Sequence, residues 1–476
     1  MSWLIALLLN GLLLLAAVAW LRREARVSPP ALRRWLGPAL AARLLLTALS
    51  AARPSPDALM MTRFAAALTA DLRARPTEAL GPLLSHAVRD GDDVMRLYPL
   101  SNSVFFIKLL GLLNFASLGN YYLTALYLSL FCFAGCWSLT RVWGRTFPAT
   151  PLLAPLLAFL LWPSVLWWTA GIIKETVLLG AEAALVALGL PLLFGGRATA
   201  EATVASGANA AAPDSQNPVQ ATPAGITSTQ MAPASAASLP AAPPQERLLE
   251  WLPGWLPGWL LGRLLGIVLL SGLAVRMRYF FALPLLGALL IVGGAGWLTR
   301  RGWISAGRRA QLALTLGLLL GGGALGWWGL NTLLPPDFLP QQLYRQYEHG
   351  LATSQGRPHL TLPGLVPTAG SMLAHAPSAI GQVLTRPWPG ESSQLSYVAA
   401  AFENLLLLSL LGVAAYALAR GRPGRLPLSL VLALLAYCLL LAAFIGLSTP
   451  NLGTMHRYRA MLLPWLLVLL LQKVRR

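Results

Sequence analysis

The sequence predicts an all-α membrane protein, a polytopic transmembrane helical bundle of about eleven spans. Apolar stretches of about 20 residues recur along the chain, which is the length that a helix needs to cross a hydrocarbon core of roughly 30 Å. Short arginine clusters separate these stretches and fall on every second loop, as the positive-inside rule predicts. Hydrophobic residues make up 56% of the chain and charged residues only 11%, whereas a soluble domain carries about 25% charged residues.

The amino-terminal half, residues 1–195, is expected to begin outside the membrane, because an arginine pair follows the first apolar run. The loop at 53–102 carries equal numbers of arginines and acidic residues, and so balanced a loop is predicted on the outer face. The apolar stretch 104–118 after it is predicted to lie at the membrane interface. Arg43 in the second span is expected to snorkel toward the inner surface.

Residues 196–250 are rich in Ala, Pro, Ser and Thr, so they are predicted to form a disordered cytoplasmic linker. The carboxyl-terminal half, residues 251–476, contains the remaining spans and a second large outer loop at 331–399. Arginines follow the last span, which places the carboxyl terminus in the cytoplasm. This topology is typical of a multi-pass protein of the bacterial inner membrane.

The net charge of +19 does not indicate a nucleic-acid partner, because most basic residues flank spans, where they meet anionic lipid headgroups. Membrane lipids are therefore the expected partners.

The three cysteines lie in apolar stretches and are predicted to be packing residues. There is no phosphate-binding glycine loop with its lysine, so ATP-driven chemistry has no support. The late histidines lack the compact spacing of a metal site, and the cofactor stays unknown, with a divalent cation left open.

Ionisable residues at membrane depth or in the outer loops are candidates for function, because they are expensive to keep there. Asp57 follows the second span in a proline-rich segment and is predicted to act as a general base between helices; a solvated loop acid is the alternative. Lys174 and Glu175 follow a very tight outer turn. Adjacent helical side chains point about 100° apart, so each needs another partner. Lys174 is a candidate phosphate ligand and Glu175 a candidate catalytic residue, with a structural interhelical salt bridge as the alternative.

Two basic groups oppose the orientation rule, since both lie in short outer loops. A bound anion is the simplest explanation, because guanidinium groups suit phosphate oxygens; structural ion pairing is the alternative. The predicted substrate-binding residues of these two groups are Arg276, Arg278, His456, Arg457, Tyr458 and Arg459.

The late outer loop adds two further candidates for substrate binding, Arg386 and Glu391, in the segment Arg-Pro-Trp-Pro-Gly-Glu. Glu403 and Asn404 follow at the top of the next span.

The order of these pieces resembles that of bacterial membrane proteins of surface-polysaccharide assembly, namely GT-C-type glycosyltransferases and O-antigen or exopolysaccharide polymerases. GT-C enzymes often carry paired acids, or Asp followed by Tyr, in the first outer loop. Asp57 is instead followed by Ala, so Asp92 and Asp93 are the alternative working pair. The stretches that carry the resemblance are short and scattered: Asp57-Ala, Trp162-Pro-Ser…Gly171-Ile-Ile-Lys174-Glu175, Arg386-Pro-Trp-Pro-Gly-Glu391…Glu403-Asn404, and Arg457-Tyr-Arg459…Pro464.

The resemblance implies an enzyme that takes a sugar from a polyprenyl-phosphate-linked donor and transfers it to a glycan acceptor at the outer face of the inner membrane. Arginines would hold the phosphate and a carboxylate would deprotonate the acceptor. A polymerase would transfer a repeat unit instead of one sugar, and the sequence does not separate the two. A non-enzymatic transporter or flippase of lipid-linked glycans is the hypothesis from another class. Transporters often show inverted repeats, and no convincing repeat relates the two halves of this chain.

Overall fold

The computed structural model describes residues 2–96, 103–210, 258–305, 307–335, 337–421 and 424–472. Contacts divide the chain into two compact units, one formed by Met1–Phe194 with Ile267–Arg476 and the other by Gly195–Gly266. Within the described residues the regular structure is helical apart from one β-hairpin, as expected for an all-α protein.

The hairpin lies between the fifth and the sixth helix. In chain order the elements are α1 (Ser2–Val27), α2 (Pro30–Arg33), α3 (Leu36–Ala52), α4 (Pro56–Ala74), a 3-10 turn (Pro76–Glu78), α5 (Leu80–Leu84), β1 (Ala87–Asp90), β2 (Asp93–Arg96), α6 (Ser103–Ser117), α7 (Tyr121–Thr146), α8 (Leu153–Leu156), a π-helical turn (Leu157–Leu161), α9 (Pro163–Trp168), α10 (Lys174–Ala210), α11 (Gly258–Arg300), α12 (Arg308–Leu333), α13 (Phe338–Ala352), α14 (Ala369–Thr385), α15 (Leu395–Ala419), α16 (Leu428–Ser448) and α17 (Leu452–Leu471).

Eight helices among the described residues are long and apolar enough to cross a membrane. The prediction of a multi-pass membrane protein is therefore confirmed at this level, while the count of eleven spans stays a prediction. The eight segments are Trp3–Val27, Pro30–Ala52, Tyr121–Thr146, Lys174–Phe194, Gly258–Arg300, Arg308–Leu333, Leu395–Ala419 and Leu428–Ser448.

Helix α11 is interrupted at Arg278, where the backbone leaves the helical region with φ −155° and ψ 90°. The element has 43 residues, which at 1.5 Å per residue would measure about 64 Å, twice the thickness of a hydrocarbon core. The interruption separates two stretches, 258–277 and 279–300. It falls at the position where the sequence predicts a turn between two spans.

Helix α10 continues through the first residues of the predicted linker and ends at Ala210. This part of the chain is rich in alanine, the residue with the highest helix propensity. The rest of the predicted linker, 211–250, lies outside the described residues.

Helices α1 and α7 run in the same direction. Near the start of both, the Tyr127 hydroxyl donates to Asn10 Oδ1 at 2.5 Å. Near the end of both, Arg141 Nε lies 2.7 Å from Glu24 Oε2. The parallel arrangement agrees with the predicted threading, in which both helices run from the outside to the cytoplasm.

The crossing of α7 and α10 depends on two glycines. A Cβ added to Gly135 would lie 2.2 Å from the Gly180 carbonyl oxygen, and a Cβ on Gly180 would lie 2.8 Å from Cys132 Cα. Because neither position has room for a side chain, the two backbones are in direct contact, as at the small-residue crossings of membrane helices. This crossing fixes α10, which carries Glu175 and Glu182.

The late loop has a core of its own. Helix α14 packs against α16, and a Cβ on Gly446 would lie 2.7 Å from the Ala379 carbonyl oxygen. The loop is therefore held close to the end of α16 by a second hydrophobic cluster, which comprises Tyr347, Leu362, Leu365, Met372, Ala379 and Leu447.

Candidate functional site

The turn before Lys174 and Glu175 is fixed by hydrogen bonds from two helices, α3 and α7. Arg43 Nη1 donates to the Thr169 carbonyl oxygen at 2.6 Å and to its hydroxyl at 2.8 Å. The Ser50 hydroxyl donates to the Ala170 carbonyl oxygen at 3.1 Å, and Gly171 N donates to the Ser129 hydroxyl at 3.1 Å. Gly171 has a φ of +89°, which an L side chain rarely adopts. The turn therefore places the first residues of α10 rigidly.

Arg43 does not reach the inner surface, so the prediction that it snorkels there is wrong. Its side chain is fully buried, and its Nη1 donates to both Thr169 oxygens inside the bundle. An arginine in the middle of a span was itself a signal of such a role, since intramembrane charges face the bundle interior and find polar partners.

Glu175 is buried at the start of α10, with a side chain that is 1% exposed. Its Oε1 lies 3.0 Å from Arg278 Nη2 and 3.5 Å from Arg457 Nε. The sequence predicted that Glu175 needs a partner other than Lys174, and this is confirmed. The two guanidinium groups come from the interruption in α11 and from the first turns of α17, so the carboxylate joins three helices.

Arg278 and Arg457 share a second contact, the ring of Tyr458. The Arg278 guanidinium carbon lies 4.4 Å from the ring centroid and that of Arg457 lies 5.1 Å away, within the range of cation–π attraction. Arg457 Nη2 also donates to the Tyr458 hydroxyl at 3.4 Å. Arg278 Nε and Arg457 Nε are buried and make no hydrogen bond within the described part of the chain, so two donors next to the carboxylate are left over.

Arg457 connects the buried Glu175 with the exposed Asp57. Its Nη1 lies 3.8 Å from Asp57 Oδ2, and the Asp57 side chain is 65% exposed. Asp57 sits in the first turn of α4, where the Ser55 hydroxyl accepts a hydrogen bond from Ala58 N at 3.2 Å. This cap fixes the start of α4. Asp57 therefore lies on the solvent-exposed side of the site and Glu175 on its buried side.

Lys174 lies beside these groups, and its Nζ donates to the Ser103 hydroxyl at 2.8 Å. It is within electrostatic range of Arg278, Glu175, Arg457 and Asp57. We refer to these residues together as the arginine–carboxylate cluster: Asp57, Lys174, Glu175, Arg278, Arg457 and Tyr458. Ser103 was not singled out by the sequence, since a serine in an apolar helix carries no signal of its own.

Arg276 lies outside this cluster, with its guanidinium carbon 5.5 Å from the centroid of the Phe105 ring. Its positive charge reaches the neighbouring α6. Burial lowers the pKa of Lys108 below its usual range, and the charge of Arg276 lowers it further. The excess of positive charge therefore extends from the cluster along the start of α6.

The other predicted residues form a second group, the loop cluster, defined by Arg386, Glu391, Asn404, His456 and Arg459. Arg386 Nε donates to Glu391 Oε1 at 2.7 Å. Arg459 Nη1 donates to the Arg386 carbonyl oxygen at 2.7 Å and to Asn404 Oδ1 at 2.9 Å. Arg459 Nη2 lies 3.3 Å from His456 Nδ1, and the Arg459 side chain is fully buried. Arg459 therefore ties the end of α14 to α15.

Glu403 joins the motif at the top of α15 to the segment Trp162-Pro-Ser. The sequence did not predict this role. Its Oε2 accepts from Ser164 N at 3.1 Å, and its Oε1 accepts from the Ser164 hydroxyl and the Trp162 indole. A carboxylate at a helix amino terminus is stabilised by the unpaired N–H groups and the helix dipole. Glu403 thus caps α9, which leads into the turn before Lys174.

The alternative acidic pair, Asp92 and Asp93, lies in the β-hairpin. Arg63 on α4 binds this hairpin, with Nη2 2.9 Å from Asp93 Oδ2, and it also pairs with Asp90. Gly91 occupies the turn with a φ of +59°, as a two-residue hairpin turn requires. Asp93 therefore has a structural partner on the helix that carries Asp57.

Among the described residues there is no group of three or more His, Cys, Asp or Glu side chains that could hold a metal ion. The chain matches no protein-family model, and it shows no significant similarity to a curated protein or to a solved structure. Its function is therefore inferred from the geometry of the site.

Proposed function

We propose that this protein is an integral membrane glycosyltransferase of cell-surface polysaccharide or glycolipid assembly. It transfers a sugar from a polyprenyl-phosphate-linked donor to a glycan acceptor at the outer face of the inner membrane. The observation that carries the proposal is the gathering of Lys174, Arg278 and Arg457 with Glu175 and Asp57 at the ends of four helices.

The cations are suited to a lipid phosphate. Three positive groups face two carboxylates in the cluster, and Arg276 adds a fourth positive charge nearby. An anion would balance the excess, and guanidinium groups bind phosphate oxygens with strong charge-assisted hydrogen bonds. Arg457 is 20% exposed and Arg278 Nε is an unused buried donor, so these two are the proposed phosphate ligands. The prenyl tail would lie between the apolar helices.

The two carboxylates have different roles in the proposal. Glu175 is buried between two guanidinium groups, which stabilise its charged form, so it serves to position Arg278 and Arg457. Asp57 is exposed and only loosely paired, so it can accept a proton. Asp57 is therefore the proposed general base and Glu175 a positioning residue.

The reaction transfers one glycosyl group. The acceptor hydroxyl gives its proton to the Asp57 carboxylate, and its oxygen forms a bond with the anomeric carbon of the donor sugar. The bond between that carbon and the phosphate oxygen breaks, and the polyprenyl phosphate leaves with the electron pair. Arg278 and Arg457 stabilise the charge that develops on the leaving phosphate.

The predicted eleven spans follow from the eight candidate helices by three additions. Helix α11 would cross twice, since its interruption at Arg278 leaves two stretches of about 20 residues, each long enough for one span. The segment 153–168, broken by a π-helical turn, and α17 would add the other two. In this threading the cluster lies at the outer surface, where a lipid-linked donor presents its phosphate.

Binding is tested with polyprenyl phosphate added to the full-length protein in nanodiscs and measured by native mass spectrometry. Arg457→Ala should weaken binding about 10- to 150-fold, because it removes a charge-assisted hydrogen bond of roughly 1.5–3 kcal/mol. Arg420→Ala is the matched control, since Arg420 also lies over a tyrosine ring, 5.2 Å from the Tyr416 centroid, outside the cluster. Equal affinity in Arg457→Ala and the native protein would refute the phosphate site.

Catalysis is tested with a panel of polyprenyl-phosphate-linked sugars. Asp57→Asn should lower turnover strongly with little change in donor binding, because the amide is nearly isosteric but accepts no proton. Repeating the assay with a chelator tests for a divalent cation. Unchanged turnover in Asp57→Asn would move the assignment to Asp92 and Asp93.

The same assay separates the alternatives. Products with one added sugar indicate a transferase, whereas products with added repeat units indicate a polymerase. Movement of a lipid-linked glycan across a liposome membrane, without any glycan product from the native protein, would establish a transporter or flippase instead.

A further inference from the structure

Glu182 is a buried carboxylate that the proposed function does not use. It lies seven residues after Glu175 on α10, about 10.5 Å further along the helix axis, within the candidate span Lys174–Phe194. Its side chain is fully buried. Both carboxylate oxygens are buried without a hydrogen-bond partner among the described residues.

Among the described residues, no positive side chain forms a hydrogen bond with the Glu182 carboxylate. Tyr437 on α16 and Cys136 on α7 are within its electrostatic range. The Tyr437 hydroxyl is also buried and makes no hydrogen bond in the described part of the chain. Arg43 on α3 interacts electrostatically with Cys136 and Cys132. Its guanidinium Nη atoms are engaged by Thr169 and Cys132.

An ionised carboxylate is not stable in such surroundings. Transfer of an unpaired charge from water to a low-dielectric interior costs several kcal/mol even after relaxation, and a buried group without a counter-charge becomes neutral instead. Glu175 gives the contrast on the same helix, because two guanidinium groups stabilise its charge.

We propose that Glu182 is an intramembrane proton-binding site, which carries a proton as a neutral carboxylic acid in the buried position seen here. Glu182 then has a hydroxyl donor and a carbonyl acceptor, and the buried Tyr437 hydroxyl, which makes no hydrogen bond among the described residues, is within its electrostatic range. The ligand of this site is a proton, and the site is independent of the arginine–carboxylate cluster.

Infrared difference spectroscopy on the full-length protein in nanodiscs tests the proposal. The spectrum of the native protein minus that of the Glu182→Gln variant should show the carbonyl band of a protonated carboxylic acid at neutral pH. Glu175→Gln is the matched control, because it removes an ion-paired carboxylate seven residues away and should show only carboxylate bands. Carboxylate bands in place of the acid band for Glu182 would overturn the proposal.

Chemical labelling gives a second and independent reading. Dicyclohexylcarbodiimide, an apolar reagent, reacts with protonated carboxylic acids in apolar surroundings, so an adduct is expected on Glu182 and not on Glu175. Sodium ions should leave both the acid band and the adduct unchanged. If sodium, in contrast to a matched concentration of choline, abolishes both signals, Glu182 binds a metal cation and the proton assignment is overturned.

Discussion

Glu175 links the two arginines of the cluster, and its replacement should reveal how much of their placement depends on one charge. Glu175→Gln leaves Arg278 and Arg457 close together without a buried counter-charge, so we expect it to destabilise the protein by roughly 3–5 kcal/mol. Thermal unfolding in detergent micelles measures the loss.

Asp57→Asn is the matched control for this prediction. Asp57 also pairs with Arg457, but at 3.8 Å and with a side chain that is 65% exposed, so its removal should cost about 0–1 kcal/mol. Equal losses of stability in the two variants would show that Glu175 does not hold the arginines in the way its contacts suggest.

His375 makes the late loop sensitive to pH. Its Nδ1 lies 2.8 Å from the Ser371 carbonyl oxygen and its Nε2 lies 3.0 Å from the Pro363 carbonyl oxygen. Hydrogen bonds to Ser371 and Pro363 raise the pKa of His375 above its usual range, because only the doubly protonated ring can donate to both. With the folded-state pKa raised, the stabilisation is complete below about pH 6.5 and is lost as the pH rises through the folded-state pKa.

Hydrogen exchange of the backbone around Pro363 measures this effect. After correction for the intrinsic rate, exchange in the native protein should be faster at about pH 8 than at about pH 6. His375→Gln should remove this difference, since glutamine does not titrate. The same pH dependence in the variant would assign the effect to another group.

At the residue scale the sequence identified charged positions and missed their partners. Glu175, Arg278 and Arg457 are identifiable because ionisable residues at membrane depth or in outer loops are costly to keep. The partner of Arg43 lies 126 positions away and that of Glu403 lies 239 positions away. Such contacts depend on helix packing, which one sequence read locally does not contain.

At the scale of elements, the glycine contact between α7 and α10 should be the least tolerant of change. A Cβ at Gly135 would lie 2.2 Å from the Gly180 carbonyl oxygen, so Gly135→Ala must push the two backbones apart. We expect a loss of about 1–3 kcal/mol or more, the cost of overpacking a close interface. Thermal unfolding of the purified protein gives the value.

Gly189→Ala on the same helix α10 is the matched control. A Cβ at Gly189 would meet no atom within 4 Å, and alanine is the better helix former by about 1 kcal/mol. The control should therefore be neutral or slightly stabilising. A Gly135→Ala variant as stable as Gly189→Ala would mean that the two helices are not in direct backbone contact.

The sequence predicted where a helix ends more accurately than whether a helix is regular along its length. It placed a turn at the arginines near 276–279, where α11 is interrupted. It predicted one regular span near 152–168, where Pro155 and Pro163 instead accompany a π-helical turn and a separate short helix. Prolines remove backbone donors and disturb the preceding turn, but the way in which the chain accommodates them depends on its neighbours. Helix α14 was not predicted in the late loop, although its apolar residues recur at helical spacing; its packing against α16 depends on the rest of the fold.

At the scale of the whole molecule, the direction of the chain through the membrane decides whether the cluster faces the outside. Arginine clusters lie in the last turns of α7 and at or after the ends of α11 and α15. The contacts of Tyr127 and Arg141 with α1 show that α1 and α7 are parallel, so the chain reverses its direction an even number of times between these two helices. We therefore expect reporter fusions after Arg145, Arg309 and Arg425 to report a cytoplasmic position. Fusions near Pro82 and Gly364 should report an outside position, because these residues lie in the loops that carry Asp57 and Arg386. An outside signal at Arg309, in a protein that inserts normally, would reverse the second half of the chain. It would separate Arg457 from the lipid donor that the proposed reaction needs at the outer face.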